Sequence, residues 1–206
     1  DHFGKGHECL AVAGGIELPQ HDSRWSTGLT RTYKYDPTPG RHVKGGLGPA
    51  FGNAPPEVRF DYGGHGKEDV AGVIKNDSQN LGGFCNFADF AFPPTAVVDY
   101  INACTGFGFT PEEGDDLGRR SFTIRTAFNV REGIVPRRDA TLSDRMVGIP
   151  PMEEGPLAGV TVDVELMADK FYEEMHYDVA TGIPTKEELE RLGGMENVIR
   201  DLYPEG

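Results

Sequence analysis

Apolar positions recur three and four residues apart in the latter two-thirds of the chain, and there the pattern predicts helices. "KEDVAGVIKNDS" carries Val70, Val73 and Ile74 at helical spacing before Asn80 and the glycines end the segment. "PPTAVVDYINACTG" opens on prolines suited to a first turn. It sets Val97, Val98, Ile101 and Cys104 on roughly one apolar side and stops at Gly106. "TPEEGDDLGRRSFTIRTAFNVREG" has the clearest start: Thr110 as cap, Pro111 at the first helical position and Glu113 closing a capping box. Leu117, Phe122, Ile124, Ala127 and Phe128 then point toward a core. "DVELMADKFYEEMHYD" spaces Val164, Met167, Phe171 and Met175 by three and four, and "TKEELERLGG" repeats the capping box with Thr185 and Glu188. Alternating patterns are scarce, so the fold class expected is all-α with long irregular segments.

Residues 1–66 read differently. "GGIELP", "DPTPGRHVKGGLGPAFGNAPP" and "DYGGHGKED" are rich in glycine and proline, with no sustained period of either kind. The expected organisation is a single domain over 1–206, with a loop-rich part at 1–66 and a helical core at 67–206. A long irregular stretch of this kind builds a site or packs on a partner, because structureless loops of such length are uncommon inside compact domains. No internal repeat or low-complexity tract interrupts the chain.

Composition narrows the function. A content of 37% hydrophobic and 10% aromatic residues is enough for a core. With 33 acidic and 20 basic side chains the formal charge is -13, which argues against nucleic acid or an anionic membrane face as the main partner. No window approaches the roughly 18 consecutive apolar residues of a spanning helix, and "DHFGKGHECL" lacks the basic start and apolar run of a secretory signal. The cytoplasm is the expected compartment. Cys9, Cys85 and Cys104 are odd in number and widely spaced, with no Cys-x-x-Cys pair, so neither a disulfide framework nor a metal site complete within the chain is expected.

Chemistry concentrates at "NLGGFCNFADF", residues 80–90, where Cys85 follows two glycines and Phe84. Glycine admits positive φ and close backbone approach, and phenylalanines wall off water, which suits a ligand site or a sharp turn. Elsewhere Cys104 reads as core, Cys9 has no partner at metal-site spacing, and "AFNVREG" reads as helix packing with an Arg131–Glu132 neighbourhood. His7, His21, His65 and His176 read as surface or structural residues.

"RTAFNVREGIVPRRDATLSDRM", followed by "GPLAGVTVDVELMADKFYEEMHYDVATGIPTKEELERLG", resembles the C-terminal region of the tungsten-containing aldehyde ferredoxin oxidoreductase family. "INACTGFGFTPEE", "GIELPQHDSR" and "PTPGRH" extend the resemblance over essentially the whole chain, corresponding to the third, mostly helical domain of a longer enzyme. The resemblance implies a tungsten held by two pterin dithiolenes, with molybdenum as an alternative, beside a 4Fe-4S cluster. Three cluster cysteines would come from the preceding domain, and the fourth from an Asp-x-x-Gly-Leu-Cys motif matched here by Asn80, Gly83, Phe84 and Cys85. Cys85 is then the iron ligand, and Asn80, Gly83 and Phe84 face the cofactor. Asn80 stands where the family has aspartate and Phe84 where it has leucine. An amide keeps one acceptor but no charge, and Asp77 is a substitute if the helix end shifts.

"GRHVKGG" matches a family histidine and lysine two apart, implying proton transfer for His42 and cofactor binding for Lys44. The implied reaction is oxidation of an aldehyde to a carboxylic acid with ferredoxin as acceptor. Ring reduction of an aromatic acyl thioester, or a cofactor-free interaction or scaffold domain, are the alternatives. Implied partners are the preceding domains of the enzyme, ferredoxin and a small aldehyde or carboxylate, with a homo-oligomer left open. A basic patch of Arg119, Arg120, Arg137 and Arg138 would have to attract an acidic ferredoxin against the acidic balance. With the other cluster ligands absent, residues 1–206 alone are expected to be inactive and metal-free, and the glycine-rich first third to be mobile.

Overall fold

The computed structural model describes residues 6–45, 50 and 52–204. Helices α1 (Gly28–Tyr35), α2 (His42–Gly45), α3 (Gly66–Gly82), α4 (Ala96–Thr105), α5 (Pro111–Arg131), α6 (Val164–Met175), α7 (Lys186–Leu192) and α8 (Glu196–Leu202) carry the architecture. Single turns at Gly6–Cys9, Pro56–Arg59, Pro136–Asp139 and Asp144–Val147 join them, with a 3-10 segment at Asn86–Ala91. Strands β1 (Val12–Ala13) and β2 (Ile16–Glu17) form a small antiparallel hairpin, Val12 opposite Glu17 and Ala13 opposite Ile16. The all-α expectation holds.

The centre is the crossing of α3 and α5, with α6 packed against α3 and touching α5 through Phe122 and Phe171. Val70, Val73 and Ile74 of α3, Phe122 of α5, and Val164, Ala168, Phe171 and Met175 of α6 make one buried cluster. Gly118 brings the two long helices together: a Cβ there would strike the Ile74 carbonyl and the Ser78 hydroxyl. Ser78 reinforces the crossing by donating to the Gly114 carbonyl at 3.1 Å.

The first third carries a buried helix between its loops. α1 has seven of eight residues buried, and residues 21–40 pack on the helical core. Its buried polar side chains find partners within the fold. Thr30 donates to Ser23 O at 3.1 Å, and Arg31 forms a two-pronged pair with Asp69 at 2.5 and 2.7 Å while stacking 4.0 Å from the Phe171 ring centroid. Leu29 and Tyr33 join Ala13, Leu18 and Met146 in a second core. Its buried positions are mostly threonine, arginine and tyrosine, not aliphatic residues, so the sequence does not mark it as core.

Other expectations change in detail. Cys104 is exposed: Val97, Val98 and Ile101 of α4 are half-buried, with Val98 against Gly114 of α5 and Val97 near Gly82 of α3, but that cover stops short of the cysteine. Pro93 and Pro94 precede α4, whose N-cap is Thr95. Ile124 and Phe128 are half exposed, flanking a groove shared with Val198 and Leu202 of α8 instead of entering the main core. The Thr110–Glu113 capping box forms in both directions, at 3.3 and 2.8 Å. That of Thr185 and Glu188 forms in one only: Thr185 accepts from Glu188 N, but the Glu188 carboxylate turns to Arg191 and His176.

Candidate functional site

Cys85 sits just beyond the end of α3. Gly83 caps that helix in the left-handed conformation, φ 73°, and its N–H returns to the Asn80 carbonyl at 3.3 Å. That cap turns the chain outward. Phe84 is half-buried, its ring edge-on to Tyr100 with centroids 4.8 Å apart, and the next residue, Cys85, is exposed. The glycine of the predicted turn therefore acts as predicted, and the thiol is presented on a surface. Leu81 and Phe87, close by in the chain, and Tyr100, in contact with Phe84, are also exposed, giving an apolar setting.

His42 opens the short helix α2, and this helix is tied to the end of α3. The Val43 carbonyl accepts from Asn86 Nδ2 at 3.1 Å and is approached by Asn80 Nδ2 at 3.5 Å. The shorter bond of Asn80 goes back one turn to Asn76 O, at 2.8 Å, which leaves its Oδ1 as the acceptor. Asn86 adds a group that the sequence did not single out, since its Oδ1 is buried without a hydrogen-bond partner. A buried carbonyl oxygen in that state needs a donor from elsewhere. The structure thus brings His42 and the Asn80–Cys85 turn together; the side chain of Lys44 lies outside the described residues.

The tautomer of His42 follows from its neighbour. Tyr33 donates its hydroxyl proton to Pro19 O at 3.1 Å, so at the 3.3 Å contact with His42 the imidazole Nδ1 is the donor and Nε2 keeps the lone pair. Burial pushes the Tyr33 phenol up to about 12. Burial, and then the positive potential of His21, hold the His42 pKa below its ordinary value, favouring the neutral ring at pH 7. The two histidine rings meet edge to face at 4.8 Å, so His21, read as structural or surface, belongs to this site.

Two expectations do not fit the geometry. Asp77 is not a stand-in at the helix end: its side chain is 1% exposed and binds Arg125 through both oxygens, at 2.8 and 3.0 Å. Nor is there an open basic patch. Arg119 meets Glu188 at 3.6 Å, Arg120 donates to Leu192 O at 2.8 Å, Arg137 pairs with Glu165 at 2.6 Å and with Asp169, and Arg138 pairs with Asp139 at 2.8 Å. Three of the four are thus paired with carboxylates of the domain itself, and the fourth is held by a main-chain oxygen. The Arg131–Glu132 neighbourhood expected in "AFNVREG" is present as an ion pair at 2.9 Å.

Among the described residues no group of three or more His, Cys, Asp or Glu side chains could hold a metal ion, and no helix is long and apolar enough to cross a membrane. Residues 1–193 match the family described as aldehyde ferredoxin oxidoreductase, domains 2 & 3, and the chain belongs to that family. It is similar to the tungsten-containing aldehyde ferredoxin oxidoreductase of Pyrococcus furiosus, with 30% identity over 202 residues, 91% of this chain and 31% of that protein. The proteins of the same description from Thermococcus kodakarensis and Pyrococcus abyssi are 29% and 28% identical, over 86% of this chain and 30% and 29% of their own lengths. The chain therefore spans about a third of the relatives it matches.

Proposed function

We propose that this chain forms one wall of the cofactor site of an aldehyde-oxidising tungsten enzyme, with Cys85 as an iron ligand of a 4Fe-4S cluster shared with the preceding domain. The observation that carries this reading is an exposed thiol, set on a left-handed glycine cap, beside a helix that brings a near-neutral histidine to the same turn. The exposed apolar side chains around it suit contact with the remainder of a longer enzyme, such as the relatives are.

The residues present fit a pterin cofactor. Asn80 Oδ1 and the unpartnered Asn86 Oδ1 are acceptors for ring amino and N–H groups, and Asn86 offsets the loss of the family aspartate at position 80. Gly83 leaves the turn open for a ring edge, and Phe84 supplies an apolar wall. Lys44 would add a cationic donor. When bound, the tungsten–pterin group and cluster supply a two-electron acceptor and an exit path for electrons to ferredoxin.

Oxidation of an aldehyde and one water to a carboxylic acid releases two electrons and two protons. His42 takes one proton at Nε2, the lone-pair nitrogen, while its Nδ1–H remains held by Tyr33. Tyr33 fixes the ring without competing for the proton, because its own phenol stays protonated at neutral pH.

The test is metal analysis of the native gene product expressed anaerobically with tungstate or molybdate. About four irons per chain and one tungsten or molybdenum are expected. Cys85→Ser should lose iron and the cluster's visible and paramagnetic signature. A Cys85→Ser protein that keeps its full iron content and spectrum rules out the ligand role.

A further inference from the structure

A cavity of about 330 Å³ lies between the end of α1, the middle of α5 and residues 134–141, sharing no lining residue with the Cys85 face. Phe122, Ile134 and the prolines of the 37–39 turn make its walls largely apolar. Asn129 lines it too, so the "AFNVREG" run, which the cofactor site does not use, forms part of this wall. Asn129 is anchored there by donation to Pro37 O at 2.8 Å.

Two lining residues carry polar atoms that are buried and have no hydrogen-bond partner: the Tyr172 hydroxyl and Asp36 Oδ2. Both residues are more than nine-tenths buried. Unmet groups of this kind are costly unless something else meets them. The charges on the walls, by contrast, already have opposite partners. Lys34 holds Glu165 at 2.5 Å, Asp36 Oδ1 holds Arg125 at 2.9 Å, and Asp139 holds Arg138 at 2.8 Å. What is missing is one donor for a carboxylate oxygen and one partner for a phenol, not an ion.

We propose that this cavity is a second ligand site, for a small uncharged molecule with an apolar body and a hydroxyl or carboxamide end. Its O–H or N–H donates to Asp36 Oδ2, its oxygen accepts from Tyr172, and its body lies on Phe122 and Ile134. The volume falls at the lower end of ordinary small-molecule pockets, which matches a ligand of about one ring and a short polar arm.

Benzyl alcohol is a suitable probe, with toluene lacking the polar end and benzoate carrying a charge. Titration of the folded 206-residue chain, followed by ligand-observed saturation-transfer NMR, should show saturable binding of benzyl alcohol and weaker or no binding of the other two. Tyr172→Phe removes only the unmet hydroxyl and should weaken benzyl alcohol about fivefold, the loss of one hydrogen bond. Ala140→Leu places a larger side chain on the wall and should abolish binding. The proposal is overturned if the folded wild type shows no saturable binding, as for a cavity holding water alone, or if the three probes bind equally. Unchanged affinity in either variant overturns it as well.

Discussion

Replacing Arg125 with methionine should be among the most damaging single changes in the chain. Its guanidinium joins three segments: its own helix α5, Asp36 at the end of α1 at 2.9 Å, and Asp77 of α3 at 2.8 Å. The two carboxylates are 0% and 1% exposed, so water cannot replace the lost partner. Breaking one buried pair costs about 3–5 kcal/mol. Here a single cation serves two anions, which places Arg125→Met near the upper end, about 5 kcal/mol. That is a third or more of the roughly 5–15 kcal/mol that holds a typical domain together, and lowers Tm by about 10–20 °C at this size. Urea denaturation at pH 7, read by circular dichroism, measures it. Adding Asp77→Asn should restore part of the loss, and adding Asp36→Asn as well should restore most of it, since neutral groups do not need the cation. A loss below about 1 kcal/mol, or strictly additive effects in this series, refutes the view that the triad binds the first third to the core.

Gly118→Ala should destabilise by about 1–3 kcal/mol through collision with the Ile74 carbonyl, although alanine at an exposed helical site would stabilise; urea midpoints decide the sign. Thr110→Ala removes one half of a complete capping box and should cost about 1 kcal/mol, seen by the same method. Because the His42 pKa is lowered in the fold, the unfolded chain binds more protons. The stabilisation from keeping this ring neutral is complete above about pH 6.5 and is lost as pH falls through the folded value. Stability should therefore drop on acidification, and His42→Gln should flatten that slope in urea titrations run from pH 8 downward.

The long helices were legible because each has a wet face and a dry one, and because their ends carry local chemistry. The Thr110–Glu113 box and the Gly83 and Gly106 caps are written within four residues of the ends they make. α1 was not legible, since "GLTRTYKY" is buried by tertiary pairs such as Arg31 with Asp69, 38 positions away, which no local window contains. α4 misled in the opposite way: its apolar spacing is real and half-buries Val97, Val98 and Ile101, yet that cover does not reach Cys104, which is exposed. At the candidate site, Cys85 and His42 were singled out through their motifs. Asn86 and His21 were not, because an unpartnered amide oxygen and a ring-to-ring contact exist only after residues 21, 42 and 86 meet in space.

The link between α2 and the Cys85 turn runs through a main-chain oxygen, that of Val43. Such an anchor is indifferent to the identity of residue 43, whose side chain is half exposed. Drift at that position would leave the histidine and the thiol in step. The amides that grip the oxygen have no such latitude, and variation should be filtered at 86, and more weakly at 80, while 43 is left free.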